Sequence, residues 1–452
     1  MALVSAHPLG PRNPALVVIP EGRIPVKIAK SATAATALLL VAACGGGGES
    51  QQDESTPEEL TVWAMGAAQD SLQQYFDEVE EKYQETYPET AVEVEFVPWD
   101  SLQESMNTAI AGGDHPDVLQ VGNDQVSNWA VQGALLDITE QVDGWSAAGD
   151  LDQGALEYGR YDGVQYGVPW HAGVRTLYYR TDWLEEIDAQ PPKTWEELVD
   201  VATAIEEEKG VPGFAAPTDF TNGIASFIWS NGGEIAVNNG GTWEGKLDSP
   251  ETKEAIEFYA GLTTDEEISP QSYVGENELI PLADMANSKL GMYIDGGWAL
   301  GSMEEQAEDP SVVDAISAAP LPGADGTAPA FIGGSDLAIF AQTEYPEHAW
   351  ELLKLMGGKE YGQKWADAAG FFPVYPELLS DPQYTDDPVK QAAAEQMQNT
   401  KFFPATPKWN EADQDQKILP KAVLEIVKGD DPDTVLREAN ENLTEILNKP
   451  VE

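Results

Sequence analysis

Cysteine is almost absent from this chain, with Cys44 the only one in 452 residues. A single thiol excludes an internal disulfide and argues against a structural zinc, so stability has to come from packed cores. Positive charge is nearly as scarce: 24 Lys and Arg stand against 79 Asp and Glu, a formal net charge of −55. A surface of that sign repels phosphate backbones and anionic headgroups, which argues against nucleic acid and an electrostatically held membrane as partners. It also points to a halophilic or salt-tolerant source, in which cations screen the self-repulsion. The melting temperature is therefore expected to rise from low to molar salt, and a flat profile would refute that habitat. Histidine is limited to His7, His115, His171 and His348, and no GxSxG elbow, HExxH pair, P-loop or EF-hand loop occurs. With so many acids some carboxylate pair is always close, so proximity alone does not argue for glycoside hydrolysis.

What is present at the start reads as an export signal. Lys27 and Lys30 lead into the apolar run Ser31 to Ala43, small Ala42 and Ala43 precede Cys44, and Gly45 to Gly48 follow it. The run is shorter than the about 20 residues a spanning helix needs, so cleavage is the better reading. Residues 1–25 carry five prolines and no periodicity, and translation is expected to begin at Val26. Val41-Ala42-Ala43-Cys44 resembles a bacterial lipoprotein signal, which implies diacylation at Cys44 and anchoring on the outer face of the cytoplasmic membrane. Residues 1–43 are thus the expected signal segment and 44–59 the lipidated cysteine and flexible tether.

From Leu60 the chain alternates short apolar runs with helical periods, the pattern of an α/β protein. Leu60–Ala64, Val92–Val97 and Asp117–Val121 read as strands. Leu72, Tyr75, Phe76, Val79 and Tyr83 fall on one helical face, and Ser101 to Ala111 is helical. Two βα units and a third strand predict a parallel sheet. Later helices carry start signals: Thr194-Trp195-Glu196-Glu197 has the spacing of a capping box, and Ser249-Pro250 pairs a serine cap with proline in the first turn. About 400 residues after the signal is ample chain for two substantial cores.

The stretch YDGVQYGVPWHAGVRTLYYRTDWL (Tyr161 to Leu184), followed by PPKTWEEL (Pro191 to Leu198), resembles the extracellular solute-binding proteins of sugar ABC transporters, the maltose-binding type. AIAGGDHPDVLQVGN (Ala109 to Asn123), QGALLDIT (Gln132 to Thr139), SNGGE (Ser230 to Glu234), KLGMYIDGGWAL (Lys289 to Leu300), FIGGSDLAIF (Phe331 to Phe340) and EHAWELLKLM (Glu347 to Met356) agree in order. The resemblance implies a two-lobed periplasmic-binding-protein fold, the Venus flytrap, with discontinuous lobes joined by a hinge and the ligand between them. It places one lobe at 57–168 plus 300–335 and the other at 170–298 plus 340–452, with crossings near Gly167–Val174 and Phe331–Phe340. It implies no enzymatic activity and no cofactor. The implied partners are a carbohydrate, favoured as a di- or oligosaccharide, and ABC permease subunits with a cytoplasmic ATPase, and the protein itself is expected to be a monomer.

A sugar presents apolar CH faces and a rim of hydroxyls, so its site needs aromatic platforms and planar polar side chains. The resemblance singles out Trp298, after Asp295-Gly296-Gly297, and Trp409 in PATPKWNEA as platforms. It directs Trp170, His171 and Arg175 from the first crossing to the cleft, with Ser335 and Asp336 from the return. Asn123 and Asp124 follow the third strand, where ligands of open α/β sheets bind, and Asp124 matches an acid that accepts sugar hydroxyls. Asp295, Asn222 and Trp229 complete the candidates. The competing readings are core filling for any tryptophan, a buried hinge ion pair for Arg175 and a solvated loop carboxylate for Asp124.

The chain departs from the maltose binder where Gly66-Ala67-Ala68 replaces a charged pair and Thr221-Asn222-Gly223 replaces an aromatic, which argues against maltose itself. Two alternatives stay open. A surface carbohydrate-active enzyme would release reducing ends, and a binder of a non-sugar solute such as a polyamine or peptide would respond to those ligands in place of sugars.

Overall fold

The computed structural model describes residues 56–450, so the expected signal segment, Cys44 and most of the tether lie outside the described residues. Among the described residues the first lobe is built on a seven-stranded sheet. Its central order is Phe372–Pro373, Gly167–Val174, Ala330–Ile339, Val118–Gly122, Glu59–Met65 and Ala91–Val97, with Thr400–Lys401 pairing the start of the 330–339 strand. The three strands expected from the apolar runs pair in parallel, and the 330–339 strand joins them antiparallel. The helix Asp70–Gln84 buries Leu72, Tyr75, Phe76, Val79 and Tyr83, the face its spacing marks out. These side chains join Leu60, Val62 and Trp170 in one core, while Trp63, Met65, Leu102, Met106 and Trp129 form the core on the opposite sheet face.

The second lobe is built around an antiparallel sheet ordered Met292–Asp295, Thr176–Arg180, Ile316–Ala319, covered mainly by helices Trp195–Lys209, Thr221–Ser230, Pro250–Thr264 and Ile418–Val427. Helix starts follow their caps. The Thr194 hydroxyl accepts the Glu197 N–H at 3.2 Å and the Ser249 hydroxyl accepts the Thr252 N–H at 3.3 Å. The expected box at Thr194 closes one residue early, with the Glu197 carboxylate taking the Lys193 N–H at 2.7 Å.

The lobes are joined by one nearly continuous extended run, Gly167–Val174 then Thr176–Arg180, with Arg175 alone between the strands. The return passes from Ile316–Ala319 to Ala330–Ile339, and a third crossing follows at Phe372–Pro373, paired with His171 and Ala172. This third crossing corrects the expected lobe boundaries. Met303, Val313, Ile316 and Ala318, in the segment expected with the first lobe, pack beside Tyr178 and Tyr293 of the second. Conversely Ala349, Leu352, Leu353, Trp365 and Tyr375, expected in the second lobe, fill the first. The helices Pro346–Gly357 and Lys359–Ala369 bury their apolar stripes in that same core, so the chain leaves the first lobe only after residue 375.

Candidate functional site

The carboxyl ends of the parallel strands open onto Gly66, Trp99 and Asn123–Asp124. Gly66 turns with φ +111°, a conformation side chains disfavour, and its N–H binds the Val97 carbonyl at 2.8 Å. The Asn123 N–H donates to the Gly334 carbonyl at 3.1 Å, tying this loop to the return crossing. Asp124 is only partly covered, yet loss of hydration, reinforced by the charge of Asp413, pushes its carboxyl up to about 7. Asp413 belongs to the other lobe, on the turn Glu411–Asp415, where it accepts from the Thr221 hydroxyl and the Gln414 amide, each at 2.6 Å. Burial raises its pKa as well. The Tyr158 hydroxyl is pushed well above its ordinary range by burial and by the charges of Asp124 and Asp336. Its ring stacks on Phe402 of the second lobe at 4.9 Å. On the same side the Asn410 amide donates to the Gln103 carbonyl oxygen at 3.1 Å. Polar and aromatic groups of both lobes therefore meet around Asp124.

A second constellation lies at the first crossing. Asp295 ends its strand fully buried, one oxygen accepting the Gly296 N–H at 2.6 Å and Oδ2 without a partner. Burial raises its carboxyl well above the usual range, opposed by the guanidinium of Arg175. Arg175 pairs with Glu278 at 3.3 Å and lies 5.9 Å from the Phe220 ring. The hinge ion pair weighed for Arg175 is thus present, with Glu278 as its partner. Trp298 is partly exposed just before the helix Ala299–Gln306. A Cβ on Gly297 would come within 2.1 Å of the Gly370 carbonyl, so glycine lets the third crossing touch this turn.

Other sequence candidates are placed elsewhere. Trp170 does not face the cleft: it is 1% exposed, stacks on Trp365 at 3.9 Å and donates to the Met356 carbonyl at 3.2 Å. His171 is buried too, its Nδ1 accepting from the Trp365 indole at 3.0 Å and its ring stacked on Phe371 at 4.2 Å. Burial lowers its pKa to about 3, which makes it a neutral acceptor. Both residues are covered by Trp365 and Phe371, so the cleft-facing placement that the resemblance implies for them fails. Ser335 is buried and accepts from the Gln120 amide at 2.9 Å. Asp336 is 1% exposed beside a register shift in its strand, with Oδ2 unpartnered against Gly159 and Gly167, and burial pushes it up to about 8. Trp409 and Trp229 are buried and pack on Phe403 at 4.9 and 5.7 Å. Asn222 is half-buried in the first turn of its helix.

The structure thus brings Asn123 and Asp124 toward the opposing lobe and gathers Arg175 and Asp295 near the turn that carries Trp298. Sequence reasoning missed Tyr158, Asp413, Glu278 and Phe402. Only the Phe402-Phe403 pair carried a signal, one ring for the core and one for the surface.

A sequence profile of the bacterial extracellular solute-binding proteins matches residues 66–363. The diacetylchitobiose binding protein DasA of Streptomyces coelicolor is 26% identical over 390 residues, covering 83% of this chain and 86% of its own. The maltotriose-binding protein of Pyrococcus abyssi is 27% identical over 346 residues, 74% of this chain and 71% of that one. Among solved structures, an ABC transporter solute binding protein from Thermotoga lettingae bound with α-D-tagatose superposes with a TM-score of 0.77 at 24% identity, covering 87% of this chain and all of its own. That likeness carries the fold, the two-lobed α/β architecture of periplasmic binding proteins.

Proposed function

The chain belongs to the bacterial extracellular solute-binding proteins, and from that premise we propose that it captures a carbohydrate between its lobes and delivers it to an ABC permease for import. The observation that carries this reading is the meeting of Asp124 and Tyr158 from one lobe with Asp413 and Phe402 from the other. Hydroxyl acceptors and flat rings on opposing faces are what a sugar requires. A ligand touching both lobes binds the closed form better than the open one, and only such a difference shifts that equilibrium. The permease, energised by its ATPase, then reads closure. In this reading the protein breaks no bond, and lipidation at Cys44 holds it at the membrane. The names of two relatives, a diacetylchitobiose and a maltotriose binder, support taking a di- or oligosaccharide as the first candidate.

Calorimetry against a panel of di- and oligosaccharides tests the reading, with saturable binding to at least one expected. Within it, Trp298→Ala is expected to weaken binding about tenfold, the scale of one lost aromatic contact of about 1 to 1.5 kcal/mol. An unchanged Kd in that variant would remove Trp298 from the site.

A further inference from the structure

Beside Asp124 and Tyr158 the second lobe carries a pocket of about 180 Å³ lined by Trp229, Glu234, Trp243, Phe402, Phe403 and Pro404. Each wall has a cause. Trp229 is 5% exposed and locked against Phe403. Trp243 stands on the hairpin Ala236–Asn238 and Trp243–Gly245. That hairpin is clamped to the last helix: the Asn448 side chain accepts the Trp243 N–H at 2.9 Å and donates to its carbonyl at 2.7 Å, and the Gly245 N–H binds the Thr444 hydroxyl at 2.9 Å. Phe402 is 49% exposed, whereas its neighbour Phe403 is buried in the core. The ion pair between Lys401 and Glu234 supplies a polar rim.

A phenyl ring half in water beside two indoles is a poor way to finish a core and a good way to present apolar faces to a sugar ring. The pocket also adjoins the cleft, because Phe402 lines it and stacks on Tyr158 at 4.9 Å, next to Asp124. Its volume is below the roughly 300 to 1,000 Å³ of a pocket that encloses a whole drug-sized ligand. It is therefore sized for one ring of a longer molecule.

Resting on the carbohydrate reading above, we propose that this pocket is an accessory subsite for one sugar unit of an oligosaccharide whose other units lie in the cleft. The protein then prefers chains longer than a disaccharide. Trp243 and Phe402 provide the apolar faces, and the Glu234 and Lys401 side chains take hydroxyls at the rim.

The test is calorimetry of the full chain and of Trp243→Ala with three matched pairs: maltose and maltotetraose, cellobiose and cellotetraose, diacetylchitobiose and tetraacetylchitotetraose. In the series that binds, the tetrasaccharide is expected to bind at least fivefold tighter than the disaccharide. Trp243→Ala should abolish that preference while leaving the disaccharide Kd within twofold. Trp243→Leu, which keeps apolar bulk but removes the flat ring, repeats the test if the alanine variant melts early. Equal affinity of the unaltered protein for both lengths overturns the subsite, and so does an equal loss, or none, for both lengths in the variants. Failure of every saccharide to bind the unaltered protein overturns the carbohydrate reading itself and the subsite with it, so the two failures are told apart.

Discussion

Asp336→Asn is expected to stabilise the protein at pH 9 by several kcal/mol and to have almost no effect near pH 4. Asp336 is buried, its Oδ2 lacks a partner, and its pKa is pushed up to about 8 by desolvation alone. In the unfolded chain the same carboxyl titrates near 3.9. A raised acid works against the fold once it ionises: below the unfolded pKa both states hold the proton and there is no penalty. The penalty grows as pH rises through the window from about 4 to about 8 and is complete above it. About 1.4 kcal/mol per pH unit across that window sets a ceiling near 5 to 6 kcal/mol, which relaxation and water entry reduce. Asparagine keeps the shape and cannot ionise. His171 runs the other way, because a lowered histidine contributes stability above about 6.5 that is lost as pH falls toward 3. That effect is common to both proteins and cancels in the difference. Urea unfolding of the two at pH 5, 7 and 9 and fixed ionic strength measures it, and parallel stability curves would show that Asp336 does not carry a buried charge.

The βα frame of the first lobe was legible because the information is local. The Glu59–Met65 and Val118–Gly122 strands are short apolar runs, and the Tyr75 and Val79 face repeats with the helical period. Caps at Thr194 and Ser249 are equally local, a side-chain oxygen reaching an N–H three residues on. The third crossing was not legible, since Phe372–Pro373 is two residues long and no periodicity fits in it. That gap moved the lobe boundaries, whereas Trp170 and His171 are directed to the cleft by the resemblance and are instead buried against Trp365 and Phe371. Their strand reads like one with an open face, and only the packing of the Lys359–Ala369 helix closes it. Asp124 is a candidate from the resemblance and from its position after a strand, a rule about topology. Asp413 was invisible because its approach to Asp124 is made by tertiary structure across hundreds of residues, and one acid among 79 carries no mark of it.

Replacing Trp365 with alanine is expected to cost about 4 kcal/mol of stability, through the first lobe and not through the ligand site. The indole is 1% exposed and lies almost parallel to Trp170, with an interplanar angle of 8° at 3.9 Å. It also packs against Tyr75 at 5.2 Å and Phe76 at 5.7 Å. Removing a buried tryptophan side chain costs about 3 to 5 kcal/mol in transfer and cavity terms, and the lost ring pairs fall within the same truncation. The variant also strips His171 of the N–H that reaches its Nδ1 at 3.0 Å, leaving a buried acceptor unpaired. Trp365→Phe separates these contributions: most ring packing stays, the hydrogen bond goes, and a loss of about 1 to 3 kcal/mol is expected. Because His171 is neutral from burial, water entering the alanine cavity should raise its pKa from about 3 toward the ordinary 6.5. NMR titration of that imidazole reads this directly, alongside the denaturation midpoint. Trp298→Ala should do the reverse, weakening sugar binding while leaving the midpoint nearly in place, since its ring is partly exposed. If Trp365→Ala unfolds at the midpoint of the unaltered protein, the paired indoles are not what holds the Lys359–Ala369 helix against the crossing strand.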